Sequence, residues 1–319
     1  MKQGRCCVIN PFFVCCALLV STASLALAAE PVAVAPSGDA VIRAKAGGSE
    51  IVITTTTRVA GAIHSLTWNG MEFIDSVDHG RQLQSASNFD NGTKYTDETF
   101  NPTEAGSSAD HVGDRSSSKL LTISAKENVL ETTSLMAFWL RPGEKSAENP
   151  AKNTTILSNH KLTKRVQIGY KDLPQVIEFT VTFTIPADEK HTFAQFEALT
   201  GYMPPVFGKF HKYNTATHEL IPISEGPGEQ SMPVVLATEN GSHAMGIFSP
   251  DQPSKGYETV GYGRWSFKAE QVNKWNTVFR YRDKNGVKSG DYTFRCFVAV
   301  GTLMDVRKSM EGLVKEFRK

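Results

Sequence analysis

Alternation of apolar and polar side chains, the period-2 signature of a half-buried strand, recurs along this chain. Its clearest instance sets Ile177, Phe179, Val181, Phe183 and Ile185 against Glu178, Thr180, Thr182 and Thr184. A second runs through Tyr292, Phe294, Cys296, Val298 and Val300. Between 192 and 200 the pattern puts Ala194, Phe196 and Ala198 on one face and Phe193, Gln195, Glu197 and Leu199 on the other, and the prolines at 204 and 205 end that strand. Further strands are predicted over 40–58, 234–238, 244–248, 265–272 and 277–282, with two more between 119 and 141. The dipeptide Asn69-Gly70 marks a two-residue hairpin between Trp68 and Met71. Only the end of the chain has a helical period: Thr302 is placed as N-cap before Leu303, Val306, Met310, Leu313, Val314 and Phe317. Many strands and one helix, with no repeat and no long linker, predict an all-β fold, a large antiparallel β-supersandwich with a short C-terminal helix.

One stretch breaks the alternation. From Asp75 to Ser107 the chain reads DSVDHGRQLQSASNFDNGTKYTDETFNPTEAGS, which concentrates imidazole, guanidinium, amide and carboxylate groups on backbone punctuated by Gly and Pro. Its length and polarity predict a loop that presents groups to a ligand, with a surface loop closed by an ion pair as the plainer alternative. A second polar loop is expected over 142–155.

Composition changes the picture in three ways. Residues 1–29 have the build of an export signal: Lys2 and Arg5, an apolar run from Phe12 to Leu27, then Ala26, Ala28 and Ala29 at the expected cleavage site. The expectation is a secreted or periplasmic protein whose single folded domain spans 30–319. Removing Lys2 and Arg5 from the 34 basic residues leaves 32 against 33 acidic ones. So balanced a charge does not attract nucleic acid over a whole surface, and no nucleic-acid partner is expected. Cys296 is the one cysteine outside the leader, so disulfides do not hold this fold, and its place in an alternating strand predicts a buried structural thiol.

GAIHSLTWNG followed by Gly80-Arg81, a central pair of long strands and a closing SGDYTFRCFVAVG strand resemble the galactose-mutarotase-like β-supersandwich superfamily over about residues 40–302. That superfamily includes aldose 1-epimerases, polysaccharide lyases and sandwich domains of glycoside hydrolases. The resemblance implies that Gly80-Arg81 matches an epimerase sugar-binding pair. It also implies that Glu270, ahead of Gly290-Asp291-Tyr292, stands where the general-base glutamate is found, although a solvated ion pair with Lys268 or Lys274 is the plainer role. The epimerases end a central strand with an Asn-His pair whose histidine is the acid. Here the comparable strand ends in Glu197 and Tyr202, with no histidine between them, which puts simple epimerase activity in doubt.

Abstraction of a proton beside a uronate carboxylate needs a base, a group that neutralises the carboxylate and an acid for the leaving oxygen. His79, Arg81, Gln84, Tyr95, Asn101, His111 and Tyr202 supply those types. The run Lys209-Phe210-His211-Lys212-Tyr213 adds charge and rings for an acidic sugar, and a solvated turn is its plainer role. Hydrolysis instead needs two carboxyl groups astride the glycosidic bond, which Glu104 with Glu197, or Glu197 with Glu270, would provide. No phosphate loop, nucleophile elbow or paired metal-ligand spacing occurs after residue 29, so neither cofactor nor metal is expected. A carbohydrate-active enzyme is therefore expected, with β-elimination slightly ahead of hydrolysis. Its rival is a non-catalytic glycan-binding protein with Trp265, Trp275, Tyr95 and Tyr213 as its platform.

Overall fold

The computed structural model describes residues 36–250 and 261–317, so the expected export signal lies outside the described residues. The described strands, in chain order, are β1 (Ala40–Ala46), β2 (Ser49–Thr55), β3 (Ile63–Trp68), β4 (Met71–Glu72), β5 (Leu83–Phe89), β6 (Pro102–Thr103), β7 (Lys119–Lys126) and β8 (Val129–Phe138). There follow β9 (Lys145–Ser146), β10 (Asn149–Pro150), β11 (Leu157–Tyr170), β12 (Leu173–Ile185), β13 (Phe193–Met203), β14 (Lys209–Asn214) and β15 (Glu219–Pro222). The last are β16 (Gly228–Gln230), β17 (Val234–Ala237), β18 (Ala244–Phe248), β19 (Gly261–Phe267), β20 (Val272–Arg282) and β21 (Gly290–Gly301), before the helix α1 (Leu303–Phe317). The pairings are antiparallel throughout, which makes this the all-β fold that the alternation predicts.

Hydrogen bonding orders these strands into two runs. One is β1–β2–β3–β5–β13–β20–β19–β16, and the other is β7–β8–β11–β12–β21–β18–β17–β14–β15. The short β6 bridges them, pairing with β5 on one side and β8 on the other. The runs pack face to face through one large apolar core. Phe183 of β12 lies 5.1 Å from Phe196 of β13, and Phe279 of β20 stacks on Phe294 of β21 at 4.4 Å. Each such ring removed from water contributes about 1.5–3 kcal/mol, so these alternating phenylalanines fix which strand faces turn inward. Cys296 is in this core, fully buried.

Helix α1 covers the outer face of the second run, where Val306, Met310, Leu313 and Val314 pack on Val176, Val235, Phe297 and Ala299. Its start is a reciprocal cap: Asp305 N donates to Thr302 Oγ1 at 3.2 Å, and Thr302 N donates to Asp305 Oδ2 at 3.1 Å. The Asn69-Gly70 hairpin also forms, with φ of 49° and 76° and Trp68 opposite Met71.

Four elements differ from the sequence expectation. The expected strand over 40–58 is two, β1 and β2, turning at Gly47, whose φ is 62°. The expected strands 265–272 and 277–282 end and begin elsewhere, at Phe267 and Val272, so Glu270 is in the turn between them. The 14-residue strand β11 is not among the predicted ones, because Ser158, His160 and Lys164 share its inward positions with Leu162, Val166 and Ile168 and break the apolar alternation. The polar stretch 75–107 is no continuous loop: it contains β5, whose seven residues are all buried.

Candidate functional site

The outer face of the first run carries a cleft of about 510 Å³. Register explains its lining. Along β5 the even positions Gln84, Ala86 and Asn88 face it, and along β20 so do Lys274, Asn276, Val278 and Arg280. The strand between them, β13, changes parity: Gln195 and Glu197 line the cleft, and so do Thr200 and Tyr202. A β-bulge allows this, since Glu197 opposes Val278 while Leu199 opposes Thr277, leaving Ala198 as the extra residue. Leu199, expected on the face of Glu197, is therefore in the core.

The pairings align the side chains in rows across the strands. Asn88, Gln195 and Arg280 form one row, and Ala86, Glu197 and Val278 the next. Gln84, Thr200, Asn276 and Gly263 follow, then Tyr202, Lys274 and Trp265. Gly263 has no room for a side chain, because a Cβ there would come within 2.4 Å of Asn276 Oδ1. Trp139, Asp97, Glu98, Asn101 and Thr103 complete the lining from the β6 side, and Glu229 and Phe267 from the other. Gly80, with φ of 88°, lies under Trp139; a Cβ on it would sit 2.5 Å from Trp139 Cζ3.

Charge is organised around Lys274. Its Nζ lies 3.6 Å from Glu197 Oε2, 5.3 Å from the centre of the Tyr202 ring and 4.9 Å from that of Trp265. Burial opposes the charge on Lys274, but Glu197 and Tyr202 outweigh it and hold the ammonium above the usual lysine range. Burial pushes the Glu197 carboxyl up, while the Lys274 charge and hydrogen bonds from Asn276 and Thr200 bring it below the usual glutamate range. The Thr200 hydroxyl donates to Glu197 Oε2 at 2.9 Å. Tyr202 is pushed up, first by burial and then by Glu197 against the opposing Lys274, so it stays a phenol. The cleft thus holds an ionised carboxylate and a protonated phenol about one cation.

The other polar groups are mostly fixed. Arg280 grips both carboxylate oxygens of Glu229 at 2.7 Å and donates from Nε to Gln195 Oε1 at 2.9 Å. Gln84 donates to the Gly80 carbonyl at 2.9 Å and accepts from Ala105 N at 3.0 Å. Asn88 differs: its Oδ1 is buried with no hydrogen-bond partner among the described residues, an acceptor that a bound hydroxyl would satisfy.

Of the residues singled out from the sequence, Gln84, Asn101, Glu197, Tyr202 and Trp265 line this cleft. Arg81, Glu197 and Glu270, each a candidate from the sequence, do not meet in one hollow. Arg81 pairs with Asp78 at 3.2 Å outside the lining, where its neighbour Gly80 takes part instead, and Glu270 is exposed in its turn. His79 is buried with Nδ1 2.8 Å from the His111 carbonyl and Nε2 2.9 Å from that of Arg58, so neither nitrogen is open to a substrate. The His111 side chain is exposed. Glu104 is buried against Lys164 and accepts from Ser85 N at 2.9 Å, which makes it a brace behind β5. Tyr95 stands just outside, its hydroxyl 2.5 Å from the lining carboxylate of Asp97. Lys209 pairs with Glu239 at 2.8 Å, and half-buried His211, its pKa lowered by burial, shares β14 with it; neither lines the cleft. Of the expected aromatic platform, Trp275 and Tyr213 are buried.

Trp139, Asn88, Gln195, Glu229, Lys274, Asn276 and Arg280 were not singled out from the sequence. The even-numbered polar residues of β20 are the available signal, and it is obscured because the sequence predicts that strand only from 277 on.

No protein-family model and no curated protein matches this chain. Solved structures do resemble it. It is similar to the Slr1438 protein of Synechocystis at TM-score 0.43 and 8% identity, over 85% of this chain and 99% of that one. A putative aldose 1-epimerase from Klebsiella pneumoniae is similar at TM-score 0.39 and 9% identity, covering 85% and 84% respectively. An alpha-mannosidase from Enterococcus faecalis is similar at 0.46 and 11%, with 84% of this chain spanning 31% of that one. At these values the likeness is one of chain path alone.

Proposed function

We propose that this is an exported carbohydrate-active enzyme and that the cleft binds a neutral saccharide, with Glu197 as base and Tyr202 as proton donor. The observation that carries the reading is the single cleft in which Asn88, Gln195, Gln84 and Asn276 form rows beside the Glu197–Lys274–Tyr202 group, with Trp139 and Trp265 in the same lining. Amides and carboxylates suit hydroxyl groups, and indole faces suit the apolar face of a sugar ring. Charge argues against a uronate. The lining has four carboxylates, Asp97, Glu98, Glu197 and Glu229, against two cations, Lys274 and Arg280. Both cations already face a carboxylate. β-Elimination needs a positive group free to neutralise the substrate acid, so chemistry at an anomeric centre, hydrolysis or mutarotation, is the better fit.

Reaction at that centre needs one proton removed and one delivered. The ionised Glu197 accepts the first from a hydroxyl or a water, and the phenol of Tyr202 gives the second, while Lys274 steadies the charge on both. The test offers the purified protein neutral oligosaccharides, free aldoses and uronate polymers, following reducing ends, optical rotation and unsaturated-product absorbance. Glu197→Gln is expected to lower the rate by about 10²–10⁴-fold while leaving saccharide affinity nearly unchanged. Binding without turnover would reduce the protein to a glycan-binding module, and unsaturated products from a uronate polymer would overturn the neutral assignment.

A further inference from the structure

A second cluster of side chains lies away from the cleft lining. His160 projects inward from β11, and Glu189 and His191 stand on the segment joining β12 to β13. One carboxylate oxygen, Glu189 Oε2, lies 2.7 Å from His160 Nε2 and 2.9 Å from His191 Nε2. The three donor atoms fall within 4.8 Å of one another. Both imidazoles are buried, at 1% and 2% exposure, and the Glu189 side chain keeps 18% of its surface in solvent. Phe89 packs on both rings, 4.8 Å from that of His160 and 4.6 Å from that of His191, which fixes their planes.

The orientation of His191 presents a difficulty that a cation removes. Its Nδ1 is buried and has no hydrogen-bond partner among the described residues, and Asp90 Oδ1 lies 3.6 Å from it. Asp90 cannot turn away, because Thr192 donates to it from backbone N at 3.0 Å and from Oγ1 at 2.5 Å. If the ring proton is on Nε2, the Nδ1 lone pair faces the Asp90 carboxylate. If it is on Nδ1, the Nε2 lone pair faces Glu189. Either neutral tautomer opposes a lone pair to an anion in a buried place, a costly arrangement.

We propose that His160, Glu189 and His191 bind a divalent transition-metal ion of the zinc type, with Asp90 as the carboxylate that orients His191. The donor set, two imidazole nitrogens and one carboxylate oxygen, is one that zinc accepts. Bonds of about 2.0–2.2 Å around a tetrahedral ion separate ligands by roughly 3.3–3.5 Å. Each imidazole nitrogen must therefore move roughly half an ångström away from the Glu189 oxygen, and the two nitrogens, within 4.8 Å of each other, must reach the same separation. The exposed side of Glu189 leaves the fourth position to water. Asp90 then plays the part that a carboxylate commonly takes behind a metal-bound histidine. None of the three donors lines the cleft, so the ion is a clamp rather than part of the acid–base group. It ties β11 of one run to the start of β13, and through Asp90 to the end of β5, both strands of the cleft floor.

The test strips the full-length protein with a chelator and titrates it with zinc alone, then cobalt(II) alone. One zinc per chain is expected, with a rise in melting temperature, and cobalt is expected to give the intense visible bands of a four-coordinate site. His160→Ala and His191→Ala should abolish stoichiometric binding, and Asp90→Asn should weaken it roughly 10–100-fold. Because the variants risk misfolding, the cobalt spectrum of the wild-type protein is an independent readout. No saturable binding, a six-coordinate cobalt spectrum, or stoichiometric binding that survives in folded His160→Ala and His191→Ala would overturn the proposal.

Discussion

Replacing Lys274 by methionine asks whether one cation holds Glu197 ionised. Methionine keeps an apolar stem of similar length and removes the charge. At 3.6 Å the attraction is about 1 kcal/mol at the dielectric constant of water and about 5 kcal/mol at an effective constant near 20. The side chains keep 16% and 21% of their surface, so some screening remains, and a loss of about 2–4 kcal/mol at neutral pH is expected. The sign follows from Glu197. Its carboxyl is depressed in the folded protein, so its contribution is complete above the ordinary glutamate range and fades as pH falls through the folded value. In Lys274→Met the burial that pushes this carboxyl up loses its main opponent. The unpaired charge then destabilises the variant at neutral pH, and protonation relieves it. Urea unfolding of wild type, Lys274→Met, Glu197→Gln and the double variant, at neutral and acid pH, measures this. The gap between wild type and Lys274→Met should narrow on acidification, the double variant should recover most of the loss, and the acid limb of any rate profile should move to higher pH. A loss independent of pH, or single effects that simply add, would refute the coupling.

Two further substitutions probe what stands behind the cleft. Gly80→Ala puts a Cβ 2.5 Å from Trp139 Cζ3 at a φ of 88°; it should cost about 1–3 kcal/mol in denaturant unfolding and weaken saccharide binding by displacing the indole. Lys164→Met leaves the buried Glu104 carboxylate without its partner and should cost about 3–5 kcal/mol, most of it recovered when Glu104→Gln is added, as a double-variant cycle by calorimetry would show.

The sequence was legible where one face of a strand is apolar and the other is not. The strand around Phe179 and the one around Phe294 declare themselves because their inward positions have no other use, and the α1 cap is readable because Thr302 and Asp305 are three residues apart. β11 was illegible for the opposite reason. Its inward positions include Lys164, which neutralises Glu104, and His160, which meets Glu189, so partners distant in sequence make buriable what looks soluble alone. The same holds for β5. Gln84 and Asn88 face a cleft rather than a core, and Ser85 is satisfied by the Ala198 carbonyl at 2.8 Å, so a central strand reads as a polar loop.

The candidate site was legible in its residue types and not in its assembly. Glu197 and Tyr202 are five apart, and strict alternation puts positions an odd number apart on opposite faces of a strand. One extra residue at Ala198 reverses that parity, bringing Thr200 and Tyr202 to the side of Gln195 and Glu197 while Leu199 turns to the core. Nothing in the local sequence forces a bulge there. The opposing strands supply the reason: Val278 and Thr277 are consecutive on β20, and Ala86 and Gln84 face the cleft from β5, so the partners on both sides fit only if β13 spends one residue between them. The register that carries the acid–base group is thus a property of three strands together.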